Sequence, residues 1–127
     1  MLTYVHNFIS SLVFSAIVES ITVVILFQLL RLSKVASRLN LTSTSNQTSR
    51  LKLVIVASIG TMFTIPYVWF VFPTLLWDKA NYIVIVGESF AVIVEALFYR
   101  YFARLDWKYA FIFSLLANIA SYALGKI

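Results

Sequence analysis

Two glutamates stand inside one long apolar stretch, NYIVIVGESFAVIVEALFYRYFAR from Asn81 to Arg104, and they are the residues most able to do chemistry in this sequence. Glu88 and Glu95 are spaced at close to two helical turns, so on a helix they share a face, roughly 10 Å apart along the axis. At that separation they cannot share one proton directly. An acid at mid-membrane depth costs a few kcal/mol to insert, so it faces other helices or a water-filled cavity and marks a functional site. A third acid, Glu19, lies in the middle of an earlier apolar run from Phe8 to Leu30, with Ser15 one turn before it on the same face.

Polar partners occur at matching depth. The run Leu53 to Trp77 carries Thr61 and Thr64 beside Pro66, and the run Tyr109 to Gly125 carries Ser114, Asn118 and Ser121 as a stripe at helical spacing. Glu19, Thr64, Glu95 and Asn118 each fall near the middle of their own run, so four helices would present a polar group at one level. Two readings follow: a buried hydrogen-bonded network that fixes helix register, or a site that binds protons or a cation. Enzymatic chemistry is the weakest class. The chain has no cysteine and a single histidine, His6, which reads as an interfacial residue without a role. There is no Gly-rich phosphate loop and no metal-ligand spacing, and carboxylates with amides and hydroxyls would hold a metal only with further ligands. No metal or cofactor is expected.

The elements that must position these residues are membrane spans. Of 127 residues, 61% are hydrophobic and 12% charged, and a mean hydropathy of +0.92 is far above that of a soluble domain. A span takes about 20 apolar residues, which predicts four over 8–30, 53–77, 82–104 and 109–125. The first run is too long and too acid-bearing for a signal peptide and reads as retained. The expected fold is all-α: a polytopic membrane protein, one domain over 1–127, with four transmembrane helices in two antiparallel hairpins. Pro66 should kink the second span and free a carbonyl that the Thr61 and Thr64 hydroxyls could satisfy.

The net charge of +5 sets topology; it does not point to nucleic acid. Arg31, Lys34, Arg38, Arg50 and Lys52 in the polar loop 31–52, with Arg100, Arg104 and Lys108, stand against Lys79 and Lys126 on the other side. Such a bias places loops 31–52 and 104–108 in the cytoplasm and both termini outside, in a multi-pass protein of the cell membrane. The two sequons at Asn40 and Asn46 are then idle. The basic loops also suit anionic lipid headgroups, at about 1 kcal/mol per residue held near the surface.

Phe14-Ser-Ala-Ile-Val-Glu19 matches Phe90-Ala-Val-Ile-Val-Glu95 at Phe, Ile, Val and Glu, and Thr61-x-x-Thr64 is echoed by Asn118-x-x-Ser121. This is the pattern of a tandem two-helix repeat, as in parallel-repeat transporters. Four spans in about this length, with Glu19 in the first, resemble the small multidrug resistance family of proton-coupled exporters. That resemblance implies that Glu19 is the carboxylate shared by proton and cationic substrate. It extends to the span count and that Glu, while the long first loop, the three glycines, Glu88 and Glu95 depart from the family's pattern.

With almost no mass outside its helices, the chain reads first as an accessory or structural subunit of a larger membrane complex. The alternative is a small proton- or cation-coupled transporter working as a homo-oligomer. Its expected partners are the lipid bilayer and other transmembrane subunits, or further copies of itself.

Overall fold

A computed structural model describes residues 2–32 and 50–125. Within them the chain is helical throughout apart from short turns: α1 (Leu2–Leu32), α2 (Arg50–Pro66), a π-helical turn (Tyr67–Val71), α3 (Phe72–Leu75), α4 (Ala80–Tyr101) and α5 (Trp107–Gly125). Runs of Val, Ile, Leu and Phe leave a backbone in lipid no partner but itself, and a helix pairs every interior N–H and C=O within one segment. Three of these helical stretches, Leu2–Leu30, Arg50–Leu75 and Tyr82–Tyr101, are long and apolar enough to cross a membrane. Helix α5 is not among them: it opens on Trp107 and Lys108 and carries the polar stripe Ser114, Asn118 and Ser121.

Several boundaries differ from the expectation, among them the end of α4 at Tyr101, ahead of the expected 104. Helix α1 starts at Leu2, ahead of Phe8, because its first turns are packed. The Tyr4 hydroxyl donates to the Trp69 carbonyl at 2.9 Å, and the rings of Tyr4 and Phe8 both lie against Trp69 and Phe70. Arg50 and Lys52, expected to close the polar loop, instead form the first turn of α2. Their long stems can lie along apolar surface while the charged heads reach outward, so the helix continues past the apolar run. Lys34, Arg38, Asn40 and Asn46 lie outside the described residues.

Pro66 disturbs the second span, by a different route from the one expected. The ring removes an N–H and crowds the Met62 carbonyl, and the next turn widens into the π helix, closed by the Phe72 N–H on the Tyr67 carbonyl. Such single π turns recur at functional sites. The Thr61 hydroxyl lies 2.9 Å from the Ala57 carbonyl and that of Thr64 lies 3.1 Å from Gly60. Neither serves Met62, so the threonines are free of the repair role and available to the site.

Helix α1 packs against α2 and α5, and α4 packs against α2 and α5, so the four long helices close a ring. Contacting pairs run in opposite order along neighbours: Tyr4 meets Trp69 while Ser20 meets Ser58, and Tyr67 meets Phe90 while Phe63 meets Phe98. Inside the ring, Val23, Phe27, Leu53, Val56, Tyr99, Phe113 and small alanines form one apolar cluster. Outward, Ile17, Ile21, Ile25, Ile59, Ile93, Leu97 and Ile119 are exposed, the surface expected where lipid is the solvent. At the α4–α5 turn Arg104 takes a left-handed φ of 56°, and the Leu105 N–H reaches back to the Tyr99 carbonyl at 3.2 Å.

Candidate functional site

The ring encloses a polar layer at mid-length, made by one or two side chains from each long helix. Glu19 and Glu95 are 2% and 1% exposed, so both carboxyls are cut off from the surface. Each carboxyl oxygen of the pair has its own partner. The Thr61 and Ser121 hydroxyls donate to the two oxygens of Glu19, the latter at 3.2 Å. The Thr64 hydroxyl and the Asn118 amide donate to the two oxygens of Glu95, at 3.2 Å and 2.6 Å. Thr61 and Thr64 are one turn apart on α2, so that single turn ties the two acids together.

Geometry on α2 and α5 explains why the acids fit. A Cβ added to Gly60 would stand 3.1 Å from the Glu95 Cγ, so the glycine lets the Glu95 stem lie against the α2 backbone. Ser114 is fully buried and donates to the Val92 carbonyl at 2.8 Å, which holds α5 on α4 beside the site. The second Asn118 amide hydrogen goes to the Ser114 carbonyl at 2.9 Å. Both hydrogens of that amide are therefore committed.

The bonding pattern is internally symmetric. Glu19 takes the first polar residue of its own partner helix, Thr61, and the second of the other unit, Ser121. Glu95 likewise takes Asn118 from its own unit and Thr64 from the other. In the same register Val23 falls on Tyr99, Phe27 on Ala103, Leu53 on Ala110, Val56 on Phe113 and Ala57 on Ser114, and every one of these is buried.

Glu88 stands apart from this symmetry. Its counterpart in that register is Leu12, and it is half-buried, with no hydrogen bond or ion pair among the described residues. It shares with Glu19, Glu95, Asn118, Ser11 and Ser15 the wall of a half-open cavity of about 80 Å³. A buried water needs roughly 10–15 Å³ of such space, so several can fit among the three acids. Val68 and Trp69 of the π turn also line it.

The basic residues lie outside this layer. Arg100 donates to the Leu105 carbonyl at 3.2 Å and its guanidinium lies 5.9 Å from the Trp107 ring centre, so part of its donor set braces the α4–α5 turn. Arg104 and Lys108 are exposed, as is Arg50, and Lys52 sits in a cleft beside Phe98 and Phe102. Arg31 lies in the last turn of α1. Two features escaped the sequence reading. The close approach at Gly60 is one, and the other is the burial of Tyr99, a residue read from sequence as an aromatic of the inner membrane interface, whose hydroxyl has no hydrogen-bond partner among the described residues. An acid-free signal for either is absent from the sequence, since both depend on how closely helices approach.

Compared with known protein families, curated proteins and solved structures, the chain matches none.

Proposed function

We propose that this chain is a small membrane carrier in which Glu19 and Glu95 together bind and release a proton or a small cation at mid-membrane. One observation carries the reading. Each hydroxyl that reaches a carboxyl oxygen also has a backbone carbonyl of its own helix within hydrogen-bond distance: Ala57 for Thr61, Gly60 for Thr64 and Asn118 for Ser121. A hydroxyl has one hydrogen and can also accept. With the carboxyl ionised, the hydroxyl donates to it. With the carboxyl protonated, the acid donates to the hydroxyl, which turns its own hydrogen to the carbonyl.

Each carboxyl oxygen therefore keeps a hydrogen-bond partner in both states, and passing between them rotates hydroxyls without moving a helix. An orphaned buried polar group costs about 1–3 kcal/mol, and here neither state has one at the pair. A network kept only to fix helix register needs one satisfied state. The repeated bonding pattern supports two equivalent half-sites, with α5 as a fourth span and the helices paired as two hairpins, while the Lys and Arg distribution supports both basic loops being cytoplasmic. The accessory-subunit reading draws on a different feature, an open apolar cleft between α1 and α2 lined by the small residues Ala16, Ser20 and Ser58, material suited to a partner's helix.

Proteoliposomes containing the purified chain and an internal pH dye test the carrier reading. An imposed pH gradient should collapse faster than in empty vesicles, and Glu19→Gln or Glu95→Gln should each restore the empty-vesicle rate while the protein stays folded. A wild-type rate equal to that of empty vesicles, together with a stoichiometric partner co-purifying in mild detergent, would replace the carrier with the accessory subunit.

A further inference from the structure

The cavity beside the carboxyl pair extends to one side only. From the level of Glu19 and Glu95 its lining runs to Ser11, Ser15, Glu88 and the π turn, toward the end of the bundle where α1 and α4 begin. On the other side of the pair the interior is filled by Val23, Leu53, Val56 and Phe113, and the one polar side-chain atom of that buried cluster is the Tyr99 hydroxyl, which bonds to nothing among the described residues. The polar groups along the cavity divide in the same direction. Glu19, Thr64, Glu95, Asn118 and Ser121 are all hydrogen-bonded to protein, whereas Ser11, Ser15 and Glu88 have no hydrogen bond or ion pair among the described residues. Three unpartnered polar groups around a space of about 80 Å³ are what water satisfies.

We infer that Glu88 is a proton relay: the buried pair exchanges protons with the water at that end of the bundle through Glu88 and the water of the cavity. The inference rests on the carrier reading above and supplies its route. Glu88 is half-buried where the pair is sealed, so it is the acid that outside water reaches first. Seven residues set it about 10 Å from Glu95 along α4, too far for direct transfer and close enough for a short file of water. The Ser11 and Ser15 hydroxyls line that file, and each can donate and accept at once. A protonated Glu88 gives its proton to the first water as the last water gives one to ionised Glu95 or Glu19, and Glu88 then takes a new proton from outside. One proton enters, one acid of the pair gains it, and the waters are unchanged. The titratable groups facing Glu88 are Glu19 from α1, Glu95 from its own helix and Tyr122 from α5, while the π turn presents Val68 and Trp69. With no cation against it among the described residues, Glu88 is not held ionised by an ion pair. An acid kept only to fix helix register would have a protein donor, as Glu19 and Glu95 do.

Proton flux into proteoliposomes, read by the same internal pH dye, tests the relay. Glu88→Gln should slow collapse of the gradient by about tenfold or more, while the buried pair still gains and loses protons reversibly, as read from its infrared carboxyl band. Glu88→Asp, which keeps a titrating group at the position, should restore most of the rate. Ser15→Val, which removes a hydroxyl and narrows the cavity without touching an acid, should also slow the flux. A Glu88→Gln rate equal to that of wild type would overturn the relay, and so would a Glu88→Asp rate as low as that of Glu88→Gln in a folded protein. Should Glu88→Gln fail to fold, an unchanged rate in Ser15→Val overturns the route. Failure of the carrier reading is seen separately, as a wild-type rate no greater than that of empty vesicles before any substitution is made.

Discussion

Replacing Gly60 with alanine should change sign in its effect on stability according to what stands at position 95. In an ordinary helix interior, Gly to Ala gains about 0.5–1 kcal/mol from reduced backbone entropy of the unfolded chain. Here the new methyl would stand 3.1 Å from the Glu95 Cγ, tighter than normal contact. The stem cannot simply swing aside, because its carboxyl is pinned at 2.6 Å by Asn118 and at 3.2 Å by Thr64. Relief must stretch those bonds or part α2 from α4, and overpacking of this kind costs about 1–3 kcal/mol. Gly60→Ala alone should therefore be destabilising by about 1–2 kcal/mol. On a Glu95→Ala background the obstacle is gone, and the same change should stabilise by up to about 1 kcal/mol. Reversible unfolding in bicelles by added denaturing detergent, run on the four proteins of the cycle, measures the coupling. An equal effect of Gly60→Ala on both backgrounds would refute the placement of Glu95 against α2.

Three further outcomes follow from the same geometry. Asn118→Leu strips one donor from Glu95 and another from the Ser114 carbonyl and should cost about 2–3 kcal/mol, whereas Ser121→Ala removes one hydroxyl from Glu19 and should cost about 1 kcal/mol, both read by the same unfolding assay. Tyr99→Phe deletes a buried hydroxyl that has no partner, so thermal unfolding should show no loss and a gain of up to about 1 kcal/mol; a clear loss would reveal a bond the hydroxyl makes. For topology, a cysteine introduced at Ser45 should react with an impermeant thiol reagent only after the membrane is breached, while one at Ala80 reacts in intact cells. The reverse pattern, or glycans on Asn40 or Asn46, would invert the orientation drawn from the Lys and Arg distribution.

Much of the polar layer was legible because acids and amides are conspicuous in apolar runs. Glu19, Glu95, Thr61, Thr64 and Asn118 stood near the middle of their segments, and helical spacing alone put Ser114 and Ser121 on the same face as Asn118. The helical class was legible for the same reason, since a backbone in lipid has few other solutions. Glu88 was harder. Periodicity places it on the same face as Glu95, but whether an acid finds donors depends on the residues opposite it, and Glu88 lies level with apolar Val68 and Trp69 where Glu95 meets Thr64 and Asn118. The π turn was not readable, because a proline announces a disturbance without saying which neighbouring turn absorbs it. The closeness of Gly60 to Glu95 and the isolation of the Tyr99 hydroxyl are interhelical distances, and a one-dimensional pattern holds no distances between helices.

The central claim is that each oxygen of the carboxyl pair keeps a hydrogen-bond partner in two protonation states, and infrared difference spectroscopy across a pH series tests it most directly. The carbonyl stretch of a protonated buried carboxyl is resolved from the amide bands, so its amplitude counts protons on the acids. The account predicts a band that rises and falls reversibly with pH in wild-type protein, is reduced by Glu19→Gln and by Glu95→Gln, and is lost in the double variant, with the helical amide signal unchanged throughout. A carboxyl band that stays constant over the whole pH range in which the protein remains folded, or one that titrates only as the helices unfold, would contradict it and leave the layer as a structural network.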